Sequence, residues 1–381
     1  MKLKSVRLLP SDKALELTWP DGEQARFNAI WLRDNSQDPE TRSPTNGQRL
    51  ITVLDIPIDL TVTEATITSD GSLRVIVAPE MKELSFTSDW LKTHSYDRAS
   101  PQNRGWLNPN VKTWGAGLQD HIHRAEWDQI SNSKKALGDW LAAIRSSGVA
   151  VLHGLPIEPG SLCDVAELFG FVRETNYGRW FEVRSEINPS NLAYTNMGLQ
   201  AHTDNPYRDP VPTMQLLACL ENSVEGGNSI VVDGFSVAEK LQSEYPKAFD
   251  LLSKYCANFE YAGSEGVCLR ARKPMIELAP DGELTTVRFN NRSAAAFRDI
   301  PFEDMEAYYD AYRKFAEIVE LPEMQVSFKL TPGDLFVVDN TRVLHARNAF
   351  SGSGTRWLEG CYADLDGLYS TLADIEETQN E

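Results

Sequence analysis

The sequence predicts an α+β fold that is mostly β: a double-stranded β-helix, or jelly roll, decorated with helices and preceded by a small β-rich N-terminal domain. Three observations predict it. Short runs rich in Val, Ile, Thr and aromatic residues recur between turn dipeptides. Helical periodicity is confined to a few stretches and does not alternate with strands as a βαβ sheet would require. The chain has 381 residues, 41% of them hydrophobic, which exceeds the roughly 100–200 residues of one ordinary domain and allows a packed core.

Taken in order, Ala14 to Trp19, Ala25 to Trp31, Leu60 to Thr68 and Leu73 to Ala78 read as strands, punctuated by Asp21-Gly22, Asn46-Gly47 and Asp70-Gly71. Such dipeptides supply the positive φ of tight hairpin turns, so residues 1–94 are expected to form a small domain of hairpins. From Ser95 to Gly117 the composition shifts to Ser, Pro, Asn, Gly and Trp, and 95–118 is expected to link that domain to a second at 119–381. There, Leu137, Trp140, Leu141 and Ile144 fall at helical offsets with Gly148 just beyond, and Val149 to Leu152 follows as a buried strand. A further helix is expected from Phe302 to Glu320, where Met305, Tyr308, Tyr312, Phe315 and Val319 recur at helical spacing. Strands are expected at Thr213 to Leu220, Ser229 to Val232, Gln325 to Leu330, Leu335 to Asp339 and Trp357 to Ala363.

Charge narrows the function. Lys and Arg total 37 against 55 Asp and Glu, a net charge of −18, which opposes attraction to phosphate backbones and anionic lipid. Neither a nucleic acid nor a membrane surface is expected as a partner. Met1 to Pro20 holds no long apolar run, so no signal peptide or anchor is expected and the cytoplasm is the default. The five cysteines are scattered without CxxC spacing and read as reduced, mostly core thiols.

Only six histidines are present. In an extended segment, His202 and Asp204 project to the same face and can grip one ion together. His345, just beyond an expected strand, offers a third ligand. Two His and one carboxylate form the facial triad that leaves non-haem Fe(II) open positions for co-substrate and dioxygen. By itself an HxD reads more readily as a polar turn, and His345 alone as a structural histidine. Arg356 opens the next apolar strand, where its guanidinium suits a dicarboxylate; a surface hairpin arginine is the plainer reading.

That order of HxD, distant His and Arg resembles the Fe(II)/2-oxoglutarate dioxygenases of the taurine-dioxygenase superfamily. Ala193-Tyr194-Thr195, His202-Thr203-Asp204, Gly226-Gly227-Asn228-Ser229, Val232-Asp233-Gly234-Phe235, Phe289-Asn290-Asn291 and Leu358 to Asp364 look like the γ-butyrobetaine hydroxylase branch. That branch includes trimethyllysine hydroxylase and the bacterial 2-(trimethylammonio)ethylphosphonate hydroxylase. Trp31-Leu32-Arg33-Asp34-Asn35 extends the likeness into the N-terminal domain. The resemblance implies Fe(II) on His202, Asp204 and His345, 2-oxoglutarate on Arg356 with help from Ser229, dioxygen as oxidant, and a homodimer. Relatives follow the Trp-Leu-Arg-Asp-Asn stretch with zinc-binding cysteines; here Ser36 to Thr41 carries no thiolate. His94 alone cannot supply a four-ligand site, so no structural zinc is expected.

A quaternary ammonium lacks hydrogen-bond donors and is gripped by aromatic faces. The resemblance places Tyr177, Trp180, Phe181, Tyr194 and Tyr362 at or beside such a cage, although each ring is also a plausible core residue. It places Asn191 and Asn291 on the substrate's anionic end, with Asn205 beside the metal aspartate. Arg288 and Arg292 flank Asn290-Asn291, and added arginine donors suit a phosphonate better than a carboxylate, unless they are solvated strand-edge charges. The expectation is therefore a hydroxylase of 2-(trimethylammonio)ethylphosphonate acting next to phosphorus, with γ-butyrobetaine as the alternative substrate. A non-enzymatic sensor of quaternary ammonium compounds would not need His345 and Arg356, and a zinc hydrolase would more often use a His-rich ligand set.

Overall fold

The structure, a computed structural model, describes residues 2–97, 103–184, 198–351 and 354–380. Two compact units divide the chain, Met1–Pro101 and Gln102–Glu381.

In the first unit, Ser5–Leu8, Ala14–Thr18 and Gln24–Asn28 form one antiparallel sheet, and Thr61–Ile67, Leu73–Ala78 and Lys82–Phe86 another. Gly22 and Gly71 sit at the turns with φ of +90° and +92°, a region that costs glycine little. Alternation buries Leu15 and Leu17, and Leu73, Val75 and Val77, in one core with Trp19 and Phe27. The strand read as reaching Trp31 stops at Asn28, and Ala29–Asp34 is helical. Ala29, Leu32 and Arg33 are its buried residues, a helical spacing that overrides the β-prone side chains.

Where a thiolate cluster is missing, a polar network ties the loop. The Asp38 carboxylate accepts hydrogen bonds from Ser36 Oγ at 2.6 Å, Thr41 Oγ1 at 2.8 Å and Lys82 Nζ at 3.1 Å. Burial works against its charge, but these bonds hold its pKa well below the ordinary carboxylate range. The His94 ring stacks on Trp90 with centroids 4.1 Å apart, and its Nδ1 lies 2.7 Å from the Trp90 carbonyl.

In the second unit, a six-stranded sheet runs Arg124–Glu126, Val149–His153, Leu335–Asp339, Met214–Asn222, Arg356–Ala363, Phe181–Arg184. A four-stranded sheet runs Leu199–His202, Val343–Arg347, Ser229–Asp233, Gln325–Phe328. Residues of one parity, Val149, Val151, Leu217, Phe336 and Val338, share a core with Val231, Val326 and Val343 of the smaller sheet. The other parity, Ala150, Leu152, Leu216, Leu335 and Val337, packs with Trp140, Leu141, Ile144, Leu368 and Leu372 of the helices Lys134–Ser147 and Leu365–Asn380. Burial on both faces is why these strands read as continuous apolar runs. Gly148 ends the first helix in the left-handed conformation, as a C-terminal glycine does. Residues 103–118 lie in this unit, where Trp114 is buried and its indole N–H donates to the Ser147 carbonyl at 2.6 Å. Among the described residues, no helix is long and apolar enough to cross a membrane.

Candidate active site

Strand pairing brings the two histidines together. His202 ends the strand Leu199–His202 directly opposite His345 on the antiparallel strand Val343–Arg347, and their ring centroids lie 4.4 Å apart. Asp204 follows two residues later, its backbone pinned by the buried Asn340 amide. Asn340 Oδ1 accepts from the Asp204 N–H at 2.7 Å, while Nδ2 donates to the Asp204 and Pro212 carbonyls at 3.0 and 2.8 Å. Thr203, between His202 and Asp204, donates its N–H to the Phe289 carbonyl at 2.9 Å.

The donor set suits a divalent transition metal. His202 Nδ1 lies 2.7 Å from the Gln200 carbonyl; a carbonyl only accepts, so Nδ1 carries the proton and Nε2 keeps its lone pair. Asp204 Oδ1 lies 3.4 Å from His202 Nε2 and 3.9 Å from His345 Nε2, and the three ligand atoms fall within 4.8 Å of one another. Burial, then the Arg292 charge, lowers the His202 pKa; burial above all lowers that of His345 to about 3. Both rings are therefore neutral at pH 7. Burial opposes the Asp204 charge, but the polar and charged groups around it, the Arg292 guanidinium among them, outweigh it and its pKa is lowered. Two neutral imidazoles and one carboxylate are the ligands that a 2-His-1-carboxylate iron site requires. Arg292 Nη2 lies 2.5 Å from His202 Nε2, so a cation already faces that lone pair.

The triad opens on a cavity of about 380 Å³. Arg347, Arg356 and Ser229 line it, all three buried, and Ser229 sits opposite Arg347 in strand register. Burial lowers the Arg356 pKa to about 10; burial and then the Arg356 charge lower that of Arg347 to about 10. Both remain cationic at pH 7, a pair suited to a carboxylate. Sequence reasoning missed Arg347; its place two residues after His345 on one strand puts both side chains on the same face.

Aromatic rings line the cavity too. Tyr177, Phe181 and Tyr362 are joined by Tyr207 and Tyr261, which sequence reasoning missed. Tyr207 stacks on Tyr261 with centroids 5.1 Å apart, and Phe181 lies 5.3 Å from Tyr362. Tyr261 arrives on the hairpin Cys256–Ser264/Val267–Pro274, far along the chain from the other rings. Asn205 lies in the left-handed region at φ +53°. Its Oδ1 accepts from Tyr207 OH at 2.5 Å, and its buried Nδ2 has no hydrogen-bond partner among the described residues.

Other expected site residues lie elsewhere. Trp180 is 40% exposed, lies over Gly160 and does not line this cavity. Arg288 is absent from the lining because its guanidinium is captured by Glu277. The Asn291 amide bonds Gln200 and Tyr312 instead, and the neighbouring Asn290 faces the cavity. Asn191 and Tyr194 lie outside the described residues.

Comparison with known proteins agrees with this geometry. The profile of the taurine catabolism dioxygenase TauD, TfdA family matches residues 109–362, and that of the γ-butyrobetaine hydroxylase-like N-terminal domain matches residues 6–95. The chain is 36% identical over 363 residues to a γ-butyrobetaine dioxygenase of Pseudomonas sp. (strain AK-1), covering 95% of this chain and 94% of that one. It is 30% identical to the human γ-butyrobetaine dioxygenase, covering 98% and 97%, and 28% identical to the bovine mitochondrial trimethyllysine dioxygenase, covering 95% and 88%. A solved asparagine oxygenase in complex with Fe(II), 2S,3S-3-hydroxyasparagine and succinate shares the fold, with TM-score 0.51 and 19% identity, over 62% of this chain and 83% of that one. The chain therefore belongs to the TauD/TfdA family and is an Fe(II)- and 2-oxoglutarate-dependent dioxygenase.

Proposed function

We propose that this dioxygenase hydroxylates a small trimethylammonium zwitterion inside a jelly roll formed by the two facing sheets. His202, Asp204 and His345 hold Fe(II); Arg356, Arg347 and Ser229 receive the distal carboxylate of 2-oxoglutarate. The observation that carries the reading is that two neutral imidazoles and one carboxylate oxygen meet in a cavity lined by both buried arginines and aromatic rings. Bound there, iron and 2-oxoglutarate supply oxidative decarboxylation to succinate and CO2 coupled to hydroxylation of a C–H bond. The protein supplies aim and a dry site. Tyr177, Phe181, Tyr207, Tyr261 and Tyr362 offer ring faces to a group that cannot donate hydrogen bonds.

For the anionic end, Asn205 Nδ2 and the Arg292 guanidinium are donors facing the cavity. A guanidinium matches the charge and three oxygens of a phosphonate, which favours 2-(trimethylammonio)ethylphosphonate hydroxylated next to phosphorus. A second reading, γ-butyrobetaine, is favoured by the 36% identical relative of that name. The test is to incubate the protein with Fe(II), 2-oxoglutarate and, separately, the phosphonate, γ-butyrobetaine and trimethyllysine. Mass spectrometry then seeks a product heavier by one oxygen atom, formed in step with succinate. Product from the phosphonate supports the first reading and product from γ-butyrobetaine the second; none from any of the three rejects the trimethylammonium class. A homodimer belongs to the same reading, and light scattering tests it.

A further inference from the structure

The two oxygens of Asp204 have different tasks. Oδ1 faces both imidazole Nε2 atoms at 3.4 and 3.9 Å. Oδ2 accepts hydrogen bonds from Gln215 Nε2 at 2.6 Å and from Tyr362 OH at 2.8 Å. Gln215 and Tyr362 are directly opposite one another on neighbouring antiparallel strands, and both are buried. One cross-strand pair thus delivers two donors to one oxygen.

The direction of these bonds is forced. An ionised carboxylate only accepts, so Gln215 must turn the NH2 end of its amide toward Asp204, and the Tyr362 hydroxyl must point its proton there. A carboxylate oxygen offers about two lone-pair sites. Two strong donors therefore occupy Oδ2 and leave Oδ1 alone for a metal.

We infer that Gln215 and Tyr362 are positioning residues that restrict Asp204 to single-oxygen coordination of the metal. The inference rests on the proposed metal site. Its consequence is geometric: a carboxylate bound through both oxygens would take a position that the keto acid end of 2-oxoglutarate or dioxygen needs, because a facial triad is useful only for the positions that it leaves open. Tyr362, expected as a ring of the substrate cage, acquires a second task through its hydroxyl.

The experiment is a Mn(II) titration of the full-length protein, followed by the loss of the free-ion magnetic resonance signal, for wild type, Tyr362→Phe, Gln215→Met and the double variant. Each single change is expected to raise the Mn(II) Kd about 10–100-fold, as loss of partners that orient metal ligands does, and the double change further. Tyr362→Phe removes one oxygen atom and keeps the ring, so the melting temperature of its metal-free form should stay near wild type; a purely structural role would lower that temperature and leave the Kd alone. Anaerobic Fe(II) with 2-oxoglutarate gives a second reading, since the visible charge-transfer band of the chelate should weaken in both variants at saturating metal. If wild type binds Mn(II) and both single variants bind it within twofold, the inference is overturned and the metal site stands. If wild type itself does not bind Mn(II), or His202→Ala binds it equally well, the metal site fails and the inference with it.

Discussion

Arg292 Nη2 lies 2.5 Å from His202 Nε2, so a guanidinium and a metal ion contend for one lone pair. On the proposed reading, Arg292 withdraws from His202 when metal binds and serves the substrate's anionic end from the cavity that it lines. Arg292→Gln should leave Mn(II) affinity equal to wild type or tighter. It should raise the KM of the anionic substrate about 10–100-fold, the equivalent of one charge-assisted hydrogen bond of about 1.5–3 kcal/mol. Parallel metal titration and steady-state kinetics check both; a weakened metal site with an unchanged KM contradicts this role.

His202→Ala and Asp204→Ala each remove a ligand atom from a set of three within 4.8 Å. Both should abolish iron binding and substrate-stimulated succinate release. Retained turnover in either would reject the ligand assignment.

Arg347→Ala and Arg356→Ala test the carboxylate end. Each guanidinium is buried, and each substitution should raise the 2-oxoglutarate KM about 10–100-fold while changing the substrate KM much less. Steady-state kinetics with each ligand varied in turn separates these effects. An unchanged 2-oxoglutarate requirement in both variants counts against the pair.

Asn340→Ala tests the clamp on the turn that carries Asp204. It strands the Asp204 N–H and the Asp204 and Pro212 carbonyls. Leaving buried backbone groups unpaired costs about 1–3 kcal/mol each before relaxation, so urea unfolding should show a loss of about 3 kcal/mol. A loss below about 0.5 kcal/mol, within the range of ordinary surface changes, would mean the turn holds itself.

The N-terminal unit makes a pH prediction. The Asp38 pKa is lowered from the model-compound value of 3.8, so its ionised form is favoured by folding. That contribution is complete above about pH 4 and is lost as pH falls through the folded value, because the unfolded chain binds the proton first. Asp38→Asn should therefore destabilise this unit by about 1–2 kcal/mol at pH 7, with a smaller difference from wild type at pH 3. Denaturant unfolding followed by tryptophan fluorescence at both pH values measures it; an equal difference at both pH values would contradict the assignment.

Much of the fold is legible along the chain because local physics writes it there. Helical spacing and Gly148 mark Lys134–Ser147, and strands buried on both faces appear as unbroken apolar runs. The family is legible in the same way, through the order of an HxD, a later His and an Arg. Where two local signals compete, as at Ala29–Asp34, β-prone residues hide a helical spacing that the core selects.

Sequence by itself determined which chemistry is available: imidazoles, a carboxylate, arginines and rings of the right kinds. Only the tertiary structure decided which of them meet. His202 and His345 become neighbours through antiparallel pairing, and Gln215 and Tyr362 reach one oxygen of Asp204 because strand register sets them opposite each other. Arg292 faces the cavity while Arg288, on the same stretch, is taken by Glu277. Register and the nearest opposite charge are properties of strands brought together from distant parts of the chain, and no local pattern encodes them.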